Sequence, residues 1–324
     1  MWSERVIRLI DLACEEDLGA AGDLTRGLIS GASDVVSASV VARQAGVICG
    51  LSLCEAICER FSRRLAQPLS VAAAQNAGGE TRASGASRES GASHAGRAFR
   101  DGDTVAPGDI VARVHGPCAA VLSLERTLLN FLARMSGVAT LTRRFVEAAR
   151  RASAGVQILD TRKTIPGWRE LDKYAVRCGG GANHRFGLHD AALIKDNHLA
   201  GVRTERLAEA LAEMLRLIER GAAAFVEVEV DDLAQFEQVC RVEGVDVILL
   251  DNFSLEQMRA AVLRRDTLGL RGRVALEASG GVTLKSVAAI AAAGVDRVSV
   301  GALTHSAVAL DLSLEMPSAT DHSG

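Results

Sequence analysis

The chain has 324 residues, room for one barrel-sized domain and a smaller companion. It carries 37 basic and 40 acidic residues for a net charge of −3, which implies no polyanion-binding tail, so nucleic acid is not an expected partner. Apolar residues make up 48% and aromatic ones only 3%, which predicts a core of Ala, Val, Leu and Ile, as in parallel strands buried on both faces.

In chain order, residues 5–18 place Val6, Ile7, Leu9, Ile10 and Ala13 at helical spacing. No signal peptide is expected from the residues around Glu4, and no run of about 18 uncharged apolar residues predicts a membrane span. The cytoplasm is the expected compartment. Short strands are predicted at 35–43 and 45–50, and a helix at 51–65. Seven scattered cysteines without CxxC spacing argue against a disulfide framework or a zinc site. Cys54 and Cys58 lie one helical turn apart and could ligate a metal, but no second pair follows, so they are expected as small buried residues.

From Ala72 to Arg97 there is no Val, Ile, Leu or aromatic residue, so this stretch is expected to be a mobile insertion. The Asp101–Asp109 segment reads as a hairpin like those of biotin- and lipoyl-carrier domains. A carrier needs a lysine at the hairpin tip, and residues 98–120 contain none. A long helical pattern then runs from Leu122 to about Arg151 through Leu128, Leu129, Leu132, Met135 and Phe145, with a break expected at Gly137.

Beyond it, apolar runs end in polar or charged residues: Val156–Asp160, Ala191–Lys195, Phe225–Val230, Val245–Asp251, Val274–Ser279 and Arg297–Gly301. Helical stretches at 204–220, 232–241, 254–265 and 283–293 alternate with them, the pattern of parallel βα units. A doubly wound sheet and a barrel both fit. The absence of a GxGxxG or GxxxxGK loop after the first strand, and the chemistry gathered at the strand ends, favour the barrel.

Those ends carry two themes. Arg162, Lys163, His184, Arg185 and Lys195 are cationic and would repel one another without an anion between them. Arginine forks suit carboxylates, and the Gly280-Gly281 pair before a helix could cradle phosphate. Glu229 and Asp251 could hold sugar hydroxyls or a hard cation such as Mg²⁺. Duller readings exist: Arg162 and Lys163 could pair with Asp160 or Glu170, Lys195 with Asp251, and His184 could be structural. Glu227 and Glu229 are expected to face opposite ways, one toward the barrel interior.

The stretches Glu125–Asn130, Thr161–Thr164, Gly179–Arg185, Lys195–His198, Glu227–Val230, Leu250–Phe253, Ser279–Gly281 and Val300–His305, in this order and spacing, resemble the consecutive motifs of the quinolinate phosphoribosyltransferase family. The resemblance runs from about Ile7 to Asp311. Ile165, Trp168 and Ala278 depart from it without removing a charge. It implies an α/β fold: an N-terminal α/β sandwich over 1–127, containing the 72–97 insertion, and an open (β/α) barrel of the type II phosphoribosyltransferase kind over 128–305. A C-terminal segment, 306–324, would return to the first domain with a disordered end.

The resemblance also implies a homodimer whose sites sit against the partner subunit, and transfer of phosphoribosyl from phosphoribosyl pyrophosphate to quinolinate with loss of CO₂, aided by Mg²⁺. Position by position, Arg126 would reach quinolinate across the dimer. Thr161, Arg162, His184 and Arg185 would hold its carboxylates, with Lys163 and Lys195 between the two substrates. Glu229 and Asp251 would take the ribose hydroxyls and Mg²⁺, and Ser279, Gly280, Gly281, Gly301, Ala302 and His305 the phosphates. Three rivals stay open: a paralogue acting on nicotinate or linked to molybdenum transport, a Schiff-base enzyme using Lys163 or Lys195, and a non-catalytic anion binder.

Overall fold

The computed structural model describes residues 2–75, 96–218 and 223–316. The chain divides into two compact units, one of residues 1–140, 170–179 and 308–324 and the other of residues 141–169 and 180–307. Along it run α1 (Glu4–Leu18), β1 (Val35–Ala42), β2 (Gly46–Val47), α2 (Leu51–Leu65), β3 (Ser70–Ala73), β4 (Thr104–Val105), β5 (Ile110–Pro117) and α3 (Cys118–Ala152). Then come β6 (Gln157–Leu159), α4 (Arg169–Cys178), β7 (Ala192–Ile194), α5 (Leu207–Leu217), β8 (Val226–Val230), α6 (Leu233–Val239) and β9 (Val247–Asp251). The last are α7 (Leu255–Thr267), β10 (Ala275–Ser279), α8 (Val287–Ala292), β11 (Arg297–Ser299), α9 (Ala302–His305) and β12 (Leu312–Glu315).

In the first unit β12, β1, β5 and β3 form an antiparallel sheet in that order. Helix α1 buries Val6, Ile10, Cys14 and Leu18, one residue per turn, and α2 buries Leu53, Cys54, Ile57, Cys58 and Phe61. The expected strand at 45–50 shrinks to two residues paired with β4. Strand β3 occupies the start of the expected 72–97 insertion, where Ala72 and Ala73 pair with Arg113 and Ala112, and Gln75 bridges Ala98. Main-chain pairing needs no large side chain, so composition alone misses it. The rest of that insertion, 76–95, and the C-terminal end, 317–324, lie outside the described residues.

Helix α3 runs unbroken through Gly137, contrary to the expected break. The glycine serves close packing: a Cβ there would lie 2.1 Å from the Val308 carbonyl oxygen. We expect Gly137→Ala to be destabilising, because overlap with backbone costs about 1–3 kcal/mol or more while alanine regains only about 1 kcal/mol in helix propensity. An unchanged denaturation midpoint would contradict the close approach.

The second unit holds six parallel strands in the order β6-β11-β10-β9-β8-β7. From β7 to β11 each strand pairs with its successor, and the last pairs with the first, β6. A doubly wound sheet reverses its order midway; joining last strand to first is the wrap of a barrel. On the far side of β6, Ala182 bridges Leu159 in parallel, and no pairing joins that stretch to β7 among the described residues. The barrel is open.

Several predicted helices begin later than expected, because Thr204–Arg206 forms a 3-10 turn and Thr283–Ser286 a hydroxyl-bonded turn. The expected helix 204–220 becomes α5, and residues 219–222 lie outside the described residues. Helix α4 has no counterpart in the sequence reading. Its buried face includes Asp172 and Lys173 beside Leu171, Ala175 and Val176, so polar residues interrupt the apolar stripe.

Candidate active site

Because the six barrel strands are parallel, their carboxyl ends share one rim; the predicted site residues of the second unit lie at or just past those ends, with His184 and Arg185 just past the bridge at Ala182. Asp160, after β6, is fully buried and accepts hydrogen bonds from the His184 amide at 2.9 Å and from Asn183 Nδ2 at 2.6 Å. Its carboxylate thereby anchors the 183–185 loop beside β6. Glu170 is bonded to Ser3 in the first unit. Arg162 and Lys163 are exposed.

The Lys163 amide donates to Thr161 Oγ1 at 3.0 Å, and the Lys163 carbonyl accepts from buried Thr304 at 2.8 Å. Side chains of Lys163 and His305 both pass Gly301, where a Cβ would meet each at 3.1 Å. Lys163, Gly301 and His305 therefore gather at one corner, beside Ala302 at the start of α9.

Arg185 is buried and donates to the Ala191 carbonyl at 3.3 Å. Burial and then the Arg162 charge lower its pKa, a repulsion that a bound anion would relieve. His184 Nε2 lies 2.8 Å from Glu227 and 3.4 Å from Glu277, two carboxylates with no exposed surface. None of their four oxygens meets hydrogen-bond geometry, so these contacts act as ion pairs. Burial alone would lower the His184 pKa, but the two acids outweigh it and push it up to about 9. The Arg185 amide, 2.8 Å from Nδ1, competes for that nitrogen's lone pair. Two full charges in a buried site outweigh one amide dipole, so the ring is held toward its cationic form.

His184, Glu227 and Glu277 place their donor atoms within 4.8 Å of one another, a spacing that could hold a metal ion. Arg297, 2.8 Å from Glu277, already brings a second cation. Two acids face two cations, and no net negative charge remains to draw a metal. These groups also correct the expectation of an all-aliphatic core, since composition cannot reveal a compensated polar interior.

Lys195 Nζ lies 2.5 Å from Glu229 Oε2, so its partner is Glu229 and not Asp251. Glu227 and Glu229 were expected to face opposite ways. They are two residues apart on β8 and so share a face: Glu227 turns to His184, and Glu229, nearer the rim, turns to Lys195. Asp251 ends β9 in register with Ser279 and accepts from Asn252 Nδ2 at 2.7 Å.

Asn252 itself has φ 54, and a Cβ on Gly280 (φ 94) would lie 2.1 Å from its Oδ1. Gly281, at φ 56, has open space around it. Consecutive left-handed residues can turn successive N–H groups toward an anion. The rim thus has a cationic side (Arg162, Lys163, Arg185, Lys195) and an acid and glycine side (Glu229, Asp251, Ser279–Gly281).

Arg126 lies on α3 in the first unit, two-thirds exposed, with Glu125 at 3.9 Å. The sequence offered Asp160 only as a pairing partner for Arg162 or Lys163 and assigned no role to Glu277, Arg297 or Arg169. A charge in mid-strand, such as Glu277 within the apolar run 274–279, was the available signal.

The family model described as "Quinolinate phosphoribosyl transferase, C-terminal domain" matches residues 138–315, and that of the N-terminal domain matches residues 23–136. A protein of Methanothermobacter thermautotrophicus named probable nicotinate-nucleotide pyrophosphorylase (carboxylating) is 35% identical over 307 residues, 93% of this chain and 95% of its own. One from Mycobacterium leprae, named nicotinate-nucleotide pyrophosphorylase (carboxylating), is 47% identical over 204 residues, 63% of this chain and 68% of its own. Among solved structures, NadC from Streptococcus pyogenes superposes with a TM-score of 0.80 at 34% identity, covering 98% of both chains.

Proposed function

The chain belongs to the quinolinate phosphoribosyltransferase family, and from that premise we propose how its own residues perform the family's reaction. The enzyme transfers phosphoribosyl from phosphoribosyl pyrophosphate to quinolinate with decarboxylation, giving nicotinate mononucleotide, CO₂ and pyrophosphate for NAD biosynthesis. The observation that carries the residue assignment is the split rim, with cations on one side, Asp251 on the other and the Lys195–Glu229 pair where the two sides meet.

Arg162 and Arg185, with Thr161, take the two quinolinate carboxylates by paired guanidinium hydrogen bonds. His184 supports the clamp from behind Arg185, because Glu227 and the Arg185 amide already engage its two ring nitrogens. Lys163 and Lys195 lie between the diacid and the pyrophosphate. Glu229 and Asp251 face the ribose, where their negative charge stabilises the oxocarbenium character that develops as pyrophosphate leaves C1. Ser279, Gly280, Gly281, Gly301, Ala302 and His305 receive the phosphates.

Once the pyridine nitrogen is alkylated, the ring is cationic. The electrons released when the adjacent carboxylate leaves as CO₂ stay on the ring carbon beside that nitrogen, where the positive charge stabilises them until a proton from water completes the C–H bond, so the substrate is its own electron sink. Glu229 and Asp251 also offer oxygen donors at successive rim positions, which suits Mg²⁺ held by one or two carboxylates together with substrate phosphates. That ion would neutralise charge on the departing pyrophosphate.

The working enzyme is a cytoplasmic homodimer in which Arg126 enters the partner's site. In support, Arg126 is two-thirds exposed and its one ion-pair contact among the described residues is a long one, to its neighbour Glu125; no helix among the described residues is long and apolar enough to cross a membrane. Mixing the two inactive variants Arg126→Ala and Lys195→Ala, then dissociating and reassociating the subunits, should restore activity, because a mixed dimer contains one intact site. No recovery despite subunit exchange would contradict the shared site. Quinolinate should be turned over far better than nicotinate, which leaves one arginine unpaired; equal turnover would favour a paralogue's specificity.

A further inference from the structure

Arg169 lies between the two loops that carry the cationic wall. Its Nε donates to Thr164 Oγ1 at 3.1 Å, its Nη1 to the Phe186 carbonyl at 3.2 Å, and its Nη2 to the Arg162 carbonyl at 3.4 Å. One acceptor set lies just after β6 and the other just after the neighbouring stretch through Ala182, which bridges Leu159. All three acceptors are neutral. Arg169 therefore adds a positive charge to a region already holding Arg162, Lys163 and Arg185 and cancels none of theirs, so electrostatic relief does not account for its place there.

What it provides is span. A planar guanidinium with five donors can bond acceptors on two segments at once, whereas a lysine ammonium is a compact point charge without that fork. The loops it joins have reason to part, since Arg162 and Arg185 repel each other across the gap. Asp160 anchors the base of the same pair of segments, through the His184 amide and Asn183, and Arg169 ties them further along, at Arg162 and Phe186.

We infer that Arg169 is a positioning residue for substrate recognition: by bonding Thr164, the Arg162 backbone and the Phe186 backbone, it fixes the spacing of Arg162 and Arg185 to that of two carboxylates on one aromatic ring. The inference rests on Arg162 and Arg185 being the diacid clamp. Arg169 need not touch quinolinate. Its influence falls chiefly on affinity for a diacid; phosphoribosyl pyrophosphate meets this segment only through Lys163, which Thr304 and the Gly301 corner hold independently of Arg169.

The test is steady-state kinetics on Arg169→Lys and Arg169→Ala, each substrate varied in turn, with Arg162→Ala and Arg185→Ala in parallel. Misplacement by a fraction of an ångström should raise the quinolinate KM by about tenfold or more in both Arg169 variants, with the phosphoribosyl pyrophosphate KM little changed. Added guanidinium ion at low millimolar concentration should partly restore Arg169→Ala. Thr164→Val, which deletes one acceptor, should show the same selectivity at smaller size and covers the case in which Arg169→Ala does not fold. A wild-type quinolinate KM in Arg169→Lys and Thr164→Val, or an equal rise for both substrates, overturns the positioning role. A normal quinolinate KM in Arg162→Ala, together with one in Arg185→Ala, overturns the clamp beneath it.

Discussion

Truncating Arg185 to alanine is expected to weaken quinolinate binding by about 2–5 kcal/mol, the range for removing one partner of a buried charge pair. That is roughly thirtyfold to several thousandfold in affinity. The size comes from burial: Arg185 is 8% exposed, so little water can replace it, and the substrate carboxylate it serves would be left without a counter-charge. Its loss would also leave Glu227 and Asp190 short of a compensating cation, since both favour its charged form. Arg162 is exposed, and solvent screening should place Arg162→Ala at or below the low end of the range. Titration calorimetry with quinolinate reads both, and unchanged affinity in the two variants would refute the clamp.

Lys195→Ala is expected to lower kcat/KM by about 10²–10³, the cost of deleting one preorganised group aimed at developing charge. Two effects add. The cation beside the departing pyrophosphate disappears, and Glu229 loses the ammonium 2.5 Å from its Oε2. Without that partner, Glu229 is no longer held in place to stabilise positive character at ribose C1. Lys195→Arg should recover little, because a planar fork does not fit where a compact ammonium did. If Lys195 were instead a Schiff-base nucleophile, borohydride with substrate would trap an adduct on it; none should form. Wild-type kcat/KM in Lys195→Ala would remove Lys195 from the site.

The rim was the most legible part of the molecule. Each parallel strand shows as a short apolar run, and the polar residue at its carboxyl end, such as Lys195 or Asp251, is displayed on the rim. βα alternation alone does not say which strands pair; the chemistry at the strand ends and the family resemblance favoured an open barrel, and the β6–β11 ladder shows the wrap.

Inside the barrel the reading failed for a definable reason. Glu227 and Glu229 were treated as opposed when a spacing of two puts them on one side of a strand, and Glu277 was given no role beside Ser279 at its strand end. Their partner His184 is distant in sequence, and pairing of that kind leaves no periodic trace. Gly137 misled because glycine is both a helix weakener and a means of close approach, and only the Val308 carbonyl beside it separates the two. Arg169 escaped for the same kind of reason, since its acceptors are mostly main-chain atoms, which every residue carries alike.

The most direct measurement tracks carboxyl-labelled quinolinate and pyrophosphate together in one reaction containing phosphoribosyl pyrophosphate and Mg²⁺. One labelled CO₂ should appear for every pyrophosphate formed, and neither should appear when phosphoribosyl pyrophosphate is omitted. Pyrophosphate formed without CO₂, or CO₂ lost from quinolinate before any sugar is attached, would contradict a rim that joins a diacid to a ribose and lets the alkylated ring take up the electrons.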